Sequence, residues 1–396
     1  MKETLETLEQ FAIEVILDRR RGAKAAALRF FLHGLSRVYT GVVMLRLRFY
    51  RRRIFRENNL GCMVISIGNL TVGGTGKTPV VEMFARALAD GGRRVAVLSR
   101  GYKSVKPPLG QRLRDRLAGR TLVDPPRVVS DGESVLLDSR LAGDEPYMLA
   151  RNLKDVPVVV DKDRVKAGKH AIREFGADTL LLDDGLQYLR LRRRLDIVLI
   201  DRYHPFGNEY LLPRGTLREP PKHLRRASYI FITKCNGEPN HDLVARIRRY
   251  NRTAEIIECT HRPLYLENAV TGAHEPLETL RGKYIGCISG IAVPESFESG
   301  LELLGARIDI RRRFADHHRF SEKEVKDFIR RSVERDVDMV VTTEKDAVRF
   351  PPLEVSAVPV YFLRVQIAIL SGEETWAQCV KRICEPRNMM PATRLF

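Results

Sequence analysis

Residues 63–79 read Met-Val-Ile-Ser-Ile-Gly-Asn-Leu-Thr-Val-Gly-Gly-Thr-Gly-Lys-Thr-Pro, and no other stretch narrows the fold as far. An apolar run leads into a glycine-rich turn, then Lys-Thr, then the helical pattern 79–90. That is the strand–loop–helix setting of a phosphate-binding loop. Gly73, Gly74 and Gly76, with Thr75 among them, let backbone N–H groups curl around phosphate oxygens without Cβ clashes. Lys77 is placed to reach β- and γ-phosphates, and the Thr78 hydroxyl suits Mg²⁺. The helix N-terminus adds its dipole. The usual spacing has a glycine five residues before Gly76, where this chain has Thr71. The motif implies a nucleoside triphosphate and leaves the phosphate acceptor open.

The rest of the chain agrees with an α/β fold. Short apolar runs recur at 63–67, 95–98, 156–160, 179–182, 197–200, 229–232, 284–289, 339–342 and 358–363, with helical patterns such as 79–90 and 322–335 between them. Alternating strand and helix predicts a mostly parallel sheet flanked by helices, joined by right-handed crossovers. A polar, turn-forming stretch at 260–280 suggests a P-loop core over 61–265 and a second, smaller α/β lobe over 266–396. The run Thr179-Leu-Leu-Leu-Asp-Asp-Gly ends a buried strand in Asp183 and Asp184. That is where a Mg²⁺-binding carboxylate stands relative to a phosphate loop. Adjacent strand residues point to opposite faces, so the two acids are expected to differ in role.

The first 60 residues stand apart. From Arg19 to Arg56 there are twelve Lys or Arg and no Asp or Glu, interleaved with Phe30, Phe31, Leu35, Val38, Val42 and Leu45. Arg37 interrupts any candidate span, so the segment reads as an amphipathic helix lying on a membrane surface. The whole chain carries a formal net charge of +18, which calls for an anionic partner. No reading motif for nucleic acid accompanies the charge. The six cysteines have no zinc spacing and read as reduced thiols; the acidic first 15 residues do not resemble a secretory signal.

Three further constellations are too polar for core: Gly143-Asp144-Glu145-Pro146, expected in a strand-to-helix loop; the Pro/Gly/Arg-rich loop 205–220 ending Leu217-Arg218-Glu219-Pro220; and Phe314-Ala-Asp-His-His-Arg-Phe. Taken with Gly-Asn-Leu-Thr-Val-Gly-Gly-Thr-Gly-Lys-Thr-Pro, Asp-Asp-Gly-Leu-Gln and Thr343-Glu-Lys-Asp-Ala-Val, their order along residues 30–370 resembles the tetraacyldisaccharide 4′-kinase family, the lipid A 4′-kinases. The resemblance implies a kinase that uses ATP and Mg²⁺ to phosphorylate the 4′-hydroxyl of tetraacyldisaccharide 1-phosphate, giving lipid IVA. It also implies work at the cytoplasmic face of a bacterial inner membrane, on a lipid-linked disaccharide and an anionic surface, with no nucleic acid and no obligate protein partner.

By the same resemblance, Asp144 is the base or the carboxylate that orients it. His317 is its partner, with His318 as the other choice, and Lys77 acts on the phosphates. Asp183, Asp184 and Glu219 form the metal network with Thr78. Arg164, Gln187 and Arg218 are candidates for phosphate contacts, where a guanidinium fork suits an oxyanion. The Thr-Glu-Lys-Asp motif suggests either a site role or support of the second lobe. The chain departs from the family at Leu186, in place of Phe, at Tyr188, in place of His, and in a basic insertion at 103–127. The competing class is a membrane-associated regulatory ATPase of the variant P-loop group, which would hydrolyse ATP without phosphorylating a sugar lipid.

Overall fold

A computed structural model describes residues 11–101 and 125–385. Most of the basic insertion expected at 103–127 therefore lies outside the described residues. Among the described residues, thirteen strands form one continuous sheet. They are β1 (Met63–Asn69), β2 (Val95–Ser99), β3 (Arg127–Ser130), β4 (Val158–Val160), β5 (Thr179–Asp183), β6 (Leu195–Asp201), β7 (Tyr229–Thr233), β8 (Glu255–Asn268), β9 (His274–Glu275), β10 (Tyr284–Ser289), β11 (Arg307–Arg313), β12 (Met339–Thr343) and β13 (Val360–Ser371). Their order is β11-β10-β12-β13-β8-β7-β6-β1-β5-β2-β4-β3, with β9 paired to β8. All nine apolar runs read from the sequence fall on strands.

β1 lies between β5 and β6, parallel to both, and every residue in it is buried. Such a strand is apolar throughout because helices cover both faces. β11 has no apolar run because it is an edge strand, Arg-Ile-Asp-Ile-Arg-Arg-Arg, carrying charge where apolar residues would invite edge pairing. Arg311 and Arg313 of β11 meet Glu298 of the helix Pro294–Leu303 at 3.2 and 2.8 Å.

β8 sets the arrangement of the two halves. Glu255–Glu258 pair parallel with β7 in the first half, and the rest of the strand pairs antiparallel with β13 in the second. β12 is parallel to β13, and β10 to β12. Since β13 runs back toward the first half, the carboxyl ends of β10 and β12 also point there. The polar stretch 260–280 thus begins on a strand that belongs to both halves. The helix Glu373–Cys384 also returns to the first half, where Trp376 meets Phe84 edge-on at 4.6 Å and Cys379 and Ile383 enter the main core.

The basic segment forms the helix Ala23–Arg51. One face packs on the core, where Val43, Leu47 and Tyr50 surround Leu189. The opposite face leaves Phe30, Phe31, Leu35, Val38, Val42 and Leu45 exposed. At 100° per residue these six fall within an arc of about 140°.

A buried ionic cluster fastens the halves. Arg364 of β13 pairs with Glu344 at 2.7 Å and with Glu82, which lies on the helix Lys77–Asp90 behind the phosphate loop. Asn152 donates to Glu344 at 2.6 Å and to Glu82 at 3.3 Å. Removing the cation would leave buried Glu344 without its ion-pair partner and Glu82 with only the half-exposed Arg86, at 2.9 Å. Arg364→Met is therefore expected to lower the unfolding free energy by about 3–5 kcal/mol. Urea unfolding with the ligand-free protein measures this; a loss below about 1 kcal/mol would mean that the cluster behaves like a surface pair.

Candidate active site

The phosphate loop sits where β1 gives way to the helix Lys77–Asp90. Gly76 has φ 74°, and a Cβ there would lie 2.4 Å from the His261 ring, so glycine is required twice over. Gly73 has φ 113°, and the Cβ positions of Gly73 and Gly74 face open space, which leaves room for a phosphate. Thr233 Oγ1 of β7 braces the loop by donating to the Thr75 carbonyl at 3.0 Å. Lys77 Nζ lies 3.5 Å from Asn69 Oδ1, and Thr78 is buried in the first turn of the helix.

Asp183 ends β5 and Asp184 follows it in a left-handed turn, so the two acids stand in different surroundings. Ser99 Oγ donates to Asp183 Oδ2 at 2.9 Å, while Asp183 Oδ1 is buried without a hydrogen-bond partner. Burial, reinforced by the nearby charges of Glu145 and Asp184, pushes this carboxyl up to about 7, despite Lys77 and Ser99. Asp184, at φ 51°, receives both arms of the Arg218 guanidinium at 2.8 Å each. Burial would raise Asp184, but Arg218, Lys77 and Arg164 outweigh it and hold the acid below its ordinary value.

Asn69, given no role by sequence reasoning, is the hub of this corner. Its carbonyl accepts from Gln187 Nε2 at 3.1 Å and from Arg218 Nη2 at 3.2 Å, and its Oδ1 faces Arg218 and Lys77. Arg164 is buried at the start of the helix Arg164–Phe175, with Nη2 3.4 Å from the Asp183 carbonyl and no partner on Nε. Tyr188, which replaces the family histidine, lies under that guanidinium at 5.2 Å and donates to Asp163 at 2.9 Å. It provides packing and a hydrogen bond at this position.

Glu219 is held differently from the two aspartates. Arg226 reaches both of its oxygens, at 2.8 and 2.9 Å, and His223 Nδ1 lies 2.8 Å from Oε2. Burial alone would raise it, but those partners bring it down to about 2. Among the described residues, no three His, Cys, Asp or Glu side chains are grouped to hold a metal ion by themselves.

The second constellation brings the two halves together. Gly143 (φ 95°) separates the short helix Ser139–Ala142 from the helix Asp144–Asn152. The Gly-Asp-Glu-Pro motif therefore joins helix to helix, where a strand-to-helix loop was expected, because Asp138 caps an extra turn ahead of it. Asp144 Oδ2 lies 3.7 Å from His317 Nδ1, and its two oxygens also receive Arg349 Nε at 2.8 Å and Arg319 Nη2 at 3.1 Å. Burial works to raise Asp144, and His317, Arg349 and Arg319 together overcome it to hold the acid down.

His317 adopts φ 65°, and this turn separates the histidines. His318 stacks on Phe314 at 4.4 Å and points Nε2 at Glu324, 3.2 Å away. Sequence reasoning gave no role to Arg319, which lies within the Asp-His-His motif, or to Arg349. Arg349 lies just past the Thr-Glu-Lys-Asp motif and is anchored by Asp346 at 3.1 Å, so that motif supports the second half and reaches the site through Arg349.

The family model for tetraacyldisaccharide-1-P 4′-kinase matches residues 28–385. The tetraacyldisaccharide 4′-kinase of Syntrophus aciditrophicus is 40% identical over 85% of this chain and 88% of its own length. That of Halothermothrix orenii is 34% identical over 95% and 98%. Among solved structures, LpxK from Aquifex aeolicus in complex with ATP matches with a TM-score of 0.70 at 27% identity, over 90% of this chain and all of that one. An open phosphate loop, a divided pair of acids and an aspartate facing a histidine across the two halves thus occur in a chain that belongs to the tetraacyldisaccharide-1-P 4′-kinase family.

Proposed function

We propose that this protein transfers the γ-phosphate of ATP to the 4′-hydroxyl of a membrane-borne tetraacyldisaccharide 1-phosphate, with Asp144 as the base. The meeting of Asp144 and His317 carries the reading, because hydrolysis of ATP alone has no need of a base shared between two halves of the molecule. The O4′–H bond breaks as its proton passes to Asp144. A bond forms from O4′ to the γ-phosphorus while the bond to the β,γ-bridging oxygen breaks, and ADP leaves. Lys77 and the backbone around Gly73, Gly74, Thr75 and Gly76 hold the phosphates. Arg218, fixed by Asp184 and Asn69, and Arg164, with its unspent Nε, offer guanidinium contacts to a phosphate.

Magnesium fits the residues present. It prefers one or two carboxylates plus phosphates and water over an all-protein cage. Thr78 and the unpartnered, buried Asp183 Oδ1 supply that set, with Asp184 beside them. The ion would offset charge on the β- and γ-phosphates. Glu219 shapes the 205–220 loop through Arg226 and His223 and is left out of the ion's surroundings.

Lys77→Ala and Asp144→Asn are each expected to lower kcat by about a hundredfold or more. His317→Ala should follow them, while His318→Ala stays within about threefold of wild type. Phosphorylation of the disaccharide in mixed micelles measures all four. Full activity in Asp144→Asn would remove the proposed base.

Asp183 also makes stability pH-dependent. Its native pKa lies above the unfolded value, so the native state binds the proton more tightly and stability falls as pH rises toward about 7. Above that, the buried charge is carried in full. Asp183→Asn should therefore raise the melting temperature of the ligand-free protein at pH 8 and lose most of that gain near pH 5. An equal effect at both pH values would contradict the assignment.

The exposed apolar arc on Ala23–Arg51, rimmed by arginines, suits the surface of an anionic bilayer. We assign that surface to the cytoplasmic face of the bacterial inner membrane. Among the described residues no helix is long and apolar enough to cross a membrane. Phe31→Asp combined with Val38→Asp should abolish sedimentation with anionic vesicles. Unchanged sedimentation would place the contact elsewhere.

A further inference from the structure

We propose that Arg349 is a positioning residue that assigns the roles within the Asp144–His317 pair. It caps one nitrogen of the histidine and leaves Asp144 as the only base. The inference rests on the reading that Asp144 and His317 face the acceptor hydroxyl.

Geometry carries the argument. A guanidinium in a protein stays protonated and can only donate. Arg349 Nη2 lies 3.0 Å from His317 Nδ1, so that nitrogen accepts. The neutral ring then carries its proton on Nε2, which lies 3.9 Å from Asp316 Oδ2. Arg349 Nε donates to Asp144 Oδ2 at 2.8 Å, the same oxygen that His317 Nδ1 approaches at 3.7 Å. The pair is thus bridged by the guanidinium. Arg349 thus occupies the His317 nitrogen that faces Asp144. Asp144 retains carboxylate capacity on Oδ1, to which Arg319 Nη2 donates at 3.1 Å.

The guanidinium is itself immobile. Its side chain is fully buried, and Nη1 is spent on the Gly290 carbonyl and Asp346 Oδ1, both at 3.1 Å. Asp346 is fixed in turn by the Gly290 amide at 3.0 Å and the Thr343 hydroxyl at 2.7 Å. One rigid cation from the second half therefore holds the carboxylate of the first. The other charged groups around the pair are Arg319 on Asp144, with Glu145 next to it in sequence, and Asp316, which faces both His317 and Lys345.

The test compares Arg349→Met and Arg349→Lys, with kcat, KM for ATP and the pH profile measured separately. In Arg349→Met, kcat should fall about a hundredfold with KM for ATP unchanged. The acid limb of the profile should move up by about one pH unit, because Asp144 has lost a neighbouring cation. Arg349→Lys, which keeps a cation within reach of both partners, should restore the limb and most of the rate. An unshifted limb in Arg349→Met, or a joint loss of kcat and ATP affinity, overturns the proposal in favour of a purely structural arginine. Should Arg349→Met fail to fold, nitrogen-15 NMR of histidine-labelled wild type, with His317→Ala as the assignment control, reads the tautomer directly. Neutral His317 protonated on Nε2 supports the proposal, and protonation on Nδ1 refutes it. An active Asp144→Asn would instead sink the underlying base assignment, whatever Arg349 does.

Discussion

The site depends on the antiparallel pairing of β13 with β8. β8 leaves the phosphate-loop half of the sheet and β13 returns to it, so strands parallel to β13 end facing that half. Segments beyond the carboxyl ends of β11, itself parallel to β10, and of β12 can therefore bring His317 and Arg349 to Asp144, which arises more than 170 residues before His317 in the chain. A parallel pairing at this point would send those loops to the far edge of the molecule. The buried cluster of Glu82, Arg364 and Glu344 fixes the same relation from behind, tying β13 to the helix that follows the phosphate loop.

Within this frame, neighbouring carboxylates are tuned apart by their partners. Asp144 and Asp184 are both substantially buried, yet arginines keep them ionised. Asp183 has one hydroxyl for company and is pushed upward, toward the point where a cation would relieve it. Desolvation acts on all three in the same direction. The difference is whether a guanidinium is within reach, and on the proposed reading it separates the acid assigned to a metal ion from those assigned to positioning or proton transfer.

How much of this was legible in the sequence follows from range. The phosphate loop and the Asp183–Asp184 strand are local patterns in which glycine freedom, strand burial and helix start coincide over a few residues, and they appear in the structure where they were read. Asp144 and His317 were found only through the family resemblance, since nothing local distinguishes an Asp at a helix start from a simple cap. The choice between His317 and His318 needed the backbone, because a left-handed turn at His317 sends the rings apart. Arg349 and Asn69 carried no signal of their own. One looks like any arginine after a short helix and the other like the end of a strand. Glu219 was grouped with the aspartates by its motif, but Arg226 and His223, a few residues on, claim its carboxylate.

The central claim is that ATP chemistry here ends on a sugar oxygen. The most direct measurement is to incubate the full-length protein with ATP, Mg²⁺ and tetraacyldisaccharide 1-phosphate in micelles and map the product by phosphorus–proton correlation NMR. The account predicts a second phosphomonoester coupled to the proton at the 4′ carbon, formed in step with ADP. Inorganic phosphate released in the presence of lipid, with the disaccharide unchanged, would contradict it and leave a membrane-associated ATPase in its place.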